Sequence, residues 1–258
     1  GGRGSVESIA PVCGNQMLIS WGQGVLCLPS YLTRRCAHVC ASAFTSPAYW
    51  DDVYSSEAEM EQSTEWLAGF DDDALTELLH HALEEERASP VLELGCGSSS
   101  LSAQLHASGW TKITACDISA IAVQAQRLQR PGVNYVVADA RCLSRDVGAG
   151  SFSAVVDKAT LDAIACSEGW DYEVGLVASE VVRVLRPGGK WLCISMTAPT
   201  TLLPILARAN WASITCEQWN GLFVYRGRTR AHGGDARATT CAATEGTESE
   251  SGVARSSS

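Results

Sequence analysis

The sequence predicts an α/β fold: a Rossmann-like, doubly wound sheet of seven strands that is mostly parallel and ends in an antiparallel hairpin. Strand-like and helix-like segments alternate between residues 73 and 196, and such alternation is typical of a parallel sheet covered by helices. The strand-like segments are almost continuously apolar, as strands buried on both faces are. The last two are joined by Asn220 and Gly221, which suit the positive φ angles of a tight hairpin turn.

The elements follow one another along the chain. DALTELLHHALEEE, residues 73–86, is predicted to be a helix because its apolar residues fall on one helical face. The next segments are predicted as strand, helix, strand, helix, strand, strand, helix and strand: PVLELGCG, SLSAQLHASG, KITACDIS, AIAVQAQRLQ, VNYVVADA, FSAVVDK, YEVGLVASEVVRVL and KWLCISM. A turn is predicted at RPGG, residues 186–189, and ASITCEQW and LFVYR form the hairpin.

Composition divides the chain into three parts. Residues 1–48 are predicted to be a leader, because the stretch from Met17 to Ser46 contains no acid and carries two arginines. That composition suits either an organelle transit peptide or a disordered leader. Residues 49–230 form the predicted domain. Residues 231–258 are rich in Gly, Ala, Thr, Ser and Glu and are predicted to be a disordered tail, since they lack apolar surface.

Charge and cysteine content restrict the partners and the compartment. The chain carries a net charge of −10 at pH 7, which repels phosphate backbones, so we expect no nucleic-acid partner. It has no run of 18 apolar residues, so we expect no membrane span. Its 11 cysteines are odd in number and form no CxxC pair, which favours free thiols, no metal site and a reducing compartment. We expect the cytoplasm, or mitochondria or another organelle if residues 1–48 are a transit segment.

An acidic residue stands at the end of each of the first four predicted strands: Glu93, Asp117, Asp139 and Asp157. Ligands of such sheets bind beyond the carboxyl ends of the strands, near the point where the strand order reverses. Taken singly, each acid is equally consistent with a solvated loop residue. Four acids at successive strand ends together predict a binding site.

The residues around these acids suit a nucleoside. Gly95 and Gly97 allow the chain to turn and a ligand to approach the backbone. Asp117 follows Gly97 by 20 residues, the spacing at which a carboxylate binds ribose hydroxyls. Asp139 is suited to accept a hydrogen bond from an adenine amine, while a backbone N–H beside Ala140 donates to the ring.

These motifs resemble those of the class I S-adenosylmethionine-dependent methyltransferases. VLELGCG, ACDIS, VVADA and VLRPGGKWLCIS follow the order and spacing of that family over residues 49–226. YWDDVY, TEW, GCGSSSLS and DKATLDAI are similar to the group that contains the elongation-factor-1-alpha lysine methyltransferases and, more distantly, the mitochondrial citrate synthase lysine methyltransferase. Ala159 stands where that group usually has Gly, and Ser98 where it has Asn or Thr.

The resemblance implies S-adenosyl-L-methionine as the cofactor and a protein lysine, on an elongation factor or a metabolic enzyme, as the methyl acceptor. It implies that Trp50, Tyr54 and Trp66 face the cofactor, whose sulfonium cation is attracted by aromatic rings; anchoring of an N-terminal arm to the core is the other interpretation. It also places Lys158 against the cofactor. The predicted cofactor-binding residues are Trp50, Tyr54, Trp66, Glu93, Gly95, Gly97, Asp117, Ile118, Asp139, Ala140 and Lys158.

Catalysis requires mainly that the acceptor amine be aligned and deprotonated, because the cofactor's methyl group is already activated. Asp157 is the first candidate to orient the amine, and Asp162 is the second. A small-molecule methyltransferase and a non-catalytic, cofactor-binding scaffold are the alternatives. A nicotinamide oxidoreductase is disfavoured, because Ser100 stands where a dinucleotide motif has its third glycine.

Overall fold

The computed structural model describes residues 6–12, 16–21, 24–29, 44–55, 65–67, 73–143, 147–231 and 242–243. Its strands are β1 (Val6–Val12), β2 (Gln16–Trp21), β3 (Gly24–Pro29), β4 (Val91–Leu94), β5 (Ile113–Asp117), β6 (Asn134–Val137), β7 (Phe152–Lys158), β8 (Leu185–Ser195), β9 (Trp211–Trp219), β10 (Leu222–Thr229) and β11 (Ala242–Ala243). Its α-helices are α1 (Pro47–Tyr54), α2 (Asp73–Leu83), α3 (Leu101–Ala107), α4 (Ala120–Gln129), α5 (Thr160–Ala165), α6 (Trp170–Val184) and α7 (Pro199–Leu206).

The main sheet has the strand order β11-β9-β10-β8-β7-β4-β5-β6. The strands from β4 to β8 are parallel, and β10 is antiparallel to both of its neighbours. From β4 the chain runs outward through β5 to β6 and then crosses to β7, on the other side of β4. The strand order therefore reverses between β4 and β7, where parallel sheets bind ligands. The predicted seven-stranded sheet with its C-terminal antiparallel hairpin is confirmed, and β11 pairs with its β9 edge.

Helices pack on both faces of this sheet. On one face, α6 and α7 cover a cluster that contains two stacked tryptophans, Trp191 and Trp211, with ring centroids 5.4 Å apart. On the other face, α2 and α3 bury Leu75, Leu79 and Trp110. Burial on both faces explains why the strand sequences are continuously apolar.

Two local features differ from the sequence prediction. RPGG does not form a separate turn: Phe152 pairs with Leu185 and Ala154 pairs with Lys190, so these residues lie in a bulge within β8. Strand pairing continues on both sides of the bulge. A turn signal in the local sequence does not tell which residues of β7 and β8 pair with each other. Helix α7 was not predicted, because Pro204 lies inside it and proline normally ends a helix.

Strands β1, β2 and β3 form an antiparallel sheet of their own, within the segment assigned to the leader. Strand β11 lies within the segment assigned to the tail. The rest of residues 1–43 and of residues 232–258 lies outside the described residues, so the three-part division stays a prediction. Over the part of the chain that the structure describes, no helix combines the length and apolar character needed to cross a membrane.

The hairpin turn between β9 and β10 provides a test of the fold. Asn220 and Gly221 have φ angles of +48° and +77°, so Gly221→Ala should lower the unfolding free energy by about 1–2 kcal/mol. Gly175 in α6 is the control, because an added Cβ would approach no closer than 4.0 Å to Ile205. Gly175→Ala should raise the unfolding free energy by about 0.5–1 kcal/mol. Urea denaturation measures both; a shift of the same sign for the two variants would contradict the turn geometry.

Candidate functional site

A cavity of about 990 Å³, part of it open to solvent, lies beyond the carboxyl ends of β4, β5 and β7. All eleven residues of the predicted cofactor-binding set line it. Asp162 lines it as well, whereas Asp157 is not among the lining residues. The structure thus brings together residues that are spread over more than 100 positions of the sequence.

Gly95 and Gly97, which follow β4, leave space that other side chains of the protein fill. Gly95 has a φ angle of +62° and Gly97 of +44°, and both values favour glycine. A Cβ on Gly95 would overlap the side chain of Thr160, and a Cβ on Gly97 would overlap the hydroxyl of Tyr54. The loop with these two glycines therefore forms a tight turn and also provides the surface against which side chains of the cavity wall pack.

A side chain of α4 and the residue that follows this helix fix the carbonyl groups of the glycine loop. The amide of Gln126 donates to the carbonyls of Gly97 and Ser99 at 2.8 Å each. The guanidinium of Arg130 donates to the carbonyls of Ser98 and Ser99 at 3.1 and 3.0 Å. The loop is consequently held in one conformation before any ligand arrives.

Asp117 lies at the end of β5 with its carboxylate buried. It accepts hydrogen bonds from the backbone N–H groups of Gly97 and Ser119, each at 2.8 Å. Burial raises its pKa to about 6, against the lowering effect of these two hydrogen bonds. Asp117 also lines the cavity, and a carboxylate offers about four lone-pair positions, so the group that holds the loop can also accept a hydrogen bond from a ligand.

Glu93, on β4, is a second buried acid at the cavity, with 3% of its surface exposed. Its carboxylate accepts a hydrogen bond from the hydroxyl of Ser102. Burial raises its pKa to about 7, although Ser102 and the charge of Lys158 act in the opposite direction. Without a ligand, the cavity therefore holds acidic groups whose ionised forms are disfavoured by burial.

Asp139, after β6, is engaged by Arg141. The backbone N–H and the guanidinium of Arg141 both donate to its carboxylate, at distances from 2.7 to 3.1 Å. The same guanidinium donates to Glu173 at 2.8 Å and to the carbonyl of Thr45 at 3.0 Å. Asp139 thus lies at the cavity as expected, with Arg141 as its partner, and its contact with an adenine amine stays a prediction.

Lys158 ends β7 and is paired with Glu65, which the sequence analysis did not select. The ammonium of Lys158 donates to the carboxylate of Glu65 at 3.1 Å and to the carbonyl of Trp66 at 2.7 Å. Glu65 also accepts from the hydroxyl of Ser99 at 2.9 Å and from the N–H of Ser100 at 2.8 Å. Burial opposes the ionisation of Glu65, but Lys158 and the two serines together hold its pKa below the ordinary value.

Aromatic rings of the N-terminal arm, which comprises residues 44–55 and 65–67, form another wall of the cavity. Trp50 and Tyr54, four residues apart on α1, stack with ring centroids 6.0 Å apart. Trp66 meets Trp50 edge to face at 6.2 Å. The indole N–H of Trp50 donates to the carbonyl of Phe44 at 2.9 Å. The aromatic rings therefore both pack the arm and line the cavity.

Asp51 attaches the arm helix α1 to the start of α4. Its carboxylate accepts from the hydroxyl of Ser119 at 2.6 Å and from the N–H of Ile121 at 3.2 Å. Helix N-termini carry unpaired N–H groups and favour negative charge. Asp51 at α4 and Glu65 at α3 thus fix the arm at the amino ends of two neighbouring helices.

The two candidate catalytic acids differ in exposure to the cavity. Asp157 is completely buried, and one of its oxygens accepts from the N–H of Thr160 at 3.0 Å. Its other oxygen, Oδ2, has no hydrogen-bond partner among the residues that the structure describes. Burial, and then the charge of Asp162, raise the pKa of Asp157 to about 7. Asp157 is the one predicted site residue that the structure keeps away from the cavity.

Asp162, on α5, lies at the cavity wall beside the end of β8. Its Oδ1 accepts from the hydroxyls of Ser195 at 2.7 Å and Thr197 at 2.8 Å. Its Oδ2 has a longer contact of 3.4 Å with the N–H of Met196. Burial raises its pKa, while the hydrogen bonds from Ser195 and Thr197 act to lower it. Oδ2 is therefore the less engaged oxygen.

Sequence reasoning missed several residues that hold the site together. Glu65 and Asp51 stand next to the selected tryptophans in TEW and YWDDVY, so an acid adjacent to a site aromatic was an available signal. Gln126 lies on the polar side of α4 and Arg130 directly follows this helix, where the sequence looks like a solvated helix face. Arg141 stands two residues after the selected Asp139, but its contacts with Thr45 and Glu173 span long stretches of sequence.

Known proteins resemble this chain both in sequence and in fold. Residues 92–193 match the family described as Methyltransferase domain. The Mus musculus protein EEF1A lysine methyltransferase 4 is 33% identical over 165 residues, which cover 58% of this chain and 61% of that protein. The Danio rerio eEF1A lysine and N-terminal methyltransferase is 34% identical over 160 residues, which cover 60% of this chain and 22% of that protein.

The chain thus spans less than two thirds of the length of each of these relatives. The crystal structure of the N-methyltransferase NodS from Bradyrhizobium japonicum in complex with S-adenosyl-L-homocysteine aligns with a TM-score of 0.53 and 16% identity. This alignment covers 72% of this chain and 98% of that chain, and at such low identity it shows the fold. The resemblance of the sequence to class I methyltransferases of the eEF1A lysine methyltransferase group is confirmed.

The buried Glu93 provides a test of the electrostatics. Because its pKa is raised in the folded protein, the folded state binds more protons than the unfolded state between the ordinary pKa and about 7. The contribution of Glu93 to the unfolding free energy therefore falls as the pH rises through this window. Relative to wild type, Glu93→Gln should gain up to about 3 kcal/mol between about pH 4.5 and pH 8.

Urea denaturation at several pH values measures this gain. Glu77→Gln, at an exposed position on α2, controls for loss of a surface carboxylate. A constant difference between Glu93→Gln and wild type across the pH range would contradict the assignment of a protonatable buried acid.

Proposed function

We propose that this chain is an S-adenosylmethionine-dependent methyltransferase that transfers the methyl group to a lysine amine of a protein. One observation carries the first part: the eleven residues selected for cofactor binding line a single cavity beside the point where strand order reverses. Relatives named as eEF1A lysine methyltransferases, at 33 and 34% identity, support a protein lysine as the acceptor and an elongation factor as the partner.

The donors and acceptors of the cavity fit this cofactor. Asp117, a carboxylate at the end of β5 that lines the cavity, suits the ribose hydroxyls. The buried carboxylates Glu93 and Asp117 and the rings of Trp50, Tyr54 and Trp66 surround the cavity, and both kinds of group favour a cationic ligand. The absence of a side chain on Gly97 leaves room for the hydroxyl of Tyr54 at the cavity wall.

When bound, S-adenosylmethionine supplies a methyl group on a positively charged sulfur, which already makes that group reactive. The task of the protein is to exclude water and to hold a neutral amine in line. The arm residues Trp50 and Trp66 cover the cavity and limit access of water to it. A free lysine amine has a pKa near 10.4, so an acceptor for its proton, or for its hydrogen bond, is required near the reacting nitrogen.

Asp162 is better positioned than Asp157 to contact that amine. It lines the cavity, and its Oδ2 has only the 3.4 Å contact from Met196. Asp157 is fully buried behind the turn that begins at Lys158, where it holds the N–H of Thr160. We therefore propose that Asp162 orients the acceptor amine and that Asp157 holds the turn between β7 and α5.

The compartment is part of the same proposal. The six cysteines between residues 96 and 216 are free thiols, which supports a reducing environment. We propose the cytoplasm, where elongation factors act, with an organelle as the alternative if residues 1–48 prove to be a transit segment.

Cofactor binding is tested through Asp117. Asp117→Ala should weaken binding of S-adenosylhomocysteine by about 1–3 kcal/mol, because ribose hydroxyls lose their acceptor. Calorimetric titration measures this, and Glu77→Ala on α2 is the control and should bind like wild type. Binding of NAD by the wild-type protein, with no heat from S-adenosylhomocysteine, would overturn the proposed function.

The acceptor and the catalytic acid are tested with labelled S-adenosylmethionine. Wild-type protein should transfer label to lysine in purified eEF1A. Asp162→Asn should lower turnover by about 10²-fold with little change in cofactor affinity, whereas Asp157→Asn should lower it less than about threefold. The reverse ranking would make Asp157 the orienting residue. Label found only in a small-molecule fraction of a lysate would replace the protein acceptor, and binding without any transfer would indicate a scaffold.

A further inference from the structure

We propose that Glu65 is a positioning residue whose negative charge joins the two halves of the cofactor site. This inference rests on the proposed function of the cavity. Residues Glu65, Trp66 and Leu67 lie in sequence between α1 and α2, and Trp66 and Leu67 line the cavity. Glu65 itself is absent from the cavity lining, so its effect is exerted through its neighbours.

The contacts of Glu65 connect the two strand ends at the point of strand reversal. Ser99 and Ser100 follow β4, and Ser100 immediately precedes α3. They donate three hydrogen bonds to the carboxylate, at 2.8 to 2.9 Å. Lys158 ends β7, the parallel neighbour of β4 on the other side of the crevice, and its ammonium lies 3.1 Å from the carboxylate. One side chain therefore bridges the crevice.

The charge of Glu65 matters because Lys158 is buried. Only 3% of the Lys158 side chain is exposed, and 20% of the Glu65 side chain. A buried ammonium requires a paired charge or a full set of acceptors. The acceptors of Lys158 are the Glu65 carboxylate and the Trp66 carbonyl, and both belong to the same short segment.

Removing the charge should therefore disturb the cavity wall as well as the ion pair. A glutamine at position 65 retains one oxygen for Ser100, but its NH2 group replaces the oxygen that accepts from Ser99 and Lys158, and Lys158 loses its counter-charge. Lys158 would then turn toward the remaining acids of the cavity, of which Glu93 already senses its charge. Trp66 would lose the donor that fixes its carbonyl. Both changes alter the surface that the cofactor contacts.

The first test compares cofactor affinity with turnover. Glu65→Gln should raise the dissociation constant of S-adenosylhomocysteine at least about tenfold, and the KM for S-adenosylmethionine similarly, while kcat at saturating cofactor stays within about twofold. Glu84→Gln is the matched control, because Glu84 forms an exposed ion pair with Arg87 away from the cavity. It should behave like wild type.

The second test measures whether Glu65 and Lys158 act together. Lys158→Gln should also weaken binding, and in the double variant Glu65→Gln/Lys158→Gln the loss should not exceed that of the worse single variant, since the two residues form one unit. Losses that multiply would show that Glu65 and Lys158 act independently and would contradict the proposal. Thermal unfolding of each variant verifies that it is folded under the binding conditions.

A third readout is independent of the cofactor. The N–H of Ser100 donates to Glu65, so hydrogen exchange of this amide in the unliganded protein should accelerate at least about tenfold in Glu65→Ala and much less in Glu65→Gln. Unchanged exchange in Glu65→Ala would show that Glu65 does not hold the serine loop and would overturn the proposal.

The failures of the two proposals are distinguishable. If wild-type protein binds S-adenosylhomocysteine and Glu65→Gln binds it equally well, the assignment of Glu65 is wrong and the proposed function stands. If wild-type protein does not bind S-adenosylhomocysteine, the proposed function fails, and the positioning role for the cofactor fails with it.

Discussion

The site depends on hydrogen bonds from backbone N–H groups, at the start of loops and helices, to side-chain carboxylates. These N–H groups lack partners within their helices, and the amino ends of helices favour negative charge. The carboxylate of Asp117 accepts hydrogen bonds from the N–H groups of Gly97 and Ser119. Glu65 accepts one from the N–H of Ser100, and Asp51 accepts one from the N–H of Ile121. Because these contacts connect the loop after β4, the loop after β5 and the N-terminal arm, they define the shape of the cavity.

This arrangement has an energetic consequence. Burial raises the pKa of Glu93 to about 7 and that of Asp117 to about 6, so ionising them in the unliganded protein opposes folding. The positive charge of Lys158 partly favours the ionised form of Glu93, but this charge is already paired with Glu65. Under the proposed function, a cationic cofactor bound among aromatic rings would favour the ionised forms of these two acids, so that binding and loss of protons would be linked.

Apolar strands and the Asn220-Gly221 turn made the sheet predictable, because strand burial and turn chemistry are local. The bulge at residues 186–189 and helix α7 depend on register and packing, which no local pattern reports. That the acids and glycines at the strand ends would line one cavity was predictable, because the carboxyl ends of parallel strands lie at one edge of the sheet. The place of the three aromatic residues followed from the family resemblance. The position of Asp157 was not predictable, since side chains alternate along a strand: of the neighbours Asp157 and Lys158, Lys158 lines the cavity. Glu65 reaches partners 34 to 93 positions away, beyond any spacing rule.

A crystal structure of the protein with S-adenosylhomocysteine tests the central claim most directly. The account predicts that the ribose hydroxyls lie within hydrogen-bond distance of Asp117 and that Glu65 still bridges Ser100 and Lys158, with Trp66 against the ligand. A ligand bound elsewhere on the protein, or bound in the cavity with Glu65 released from Ser100 and Lys158, would contradict it.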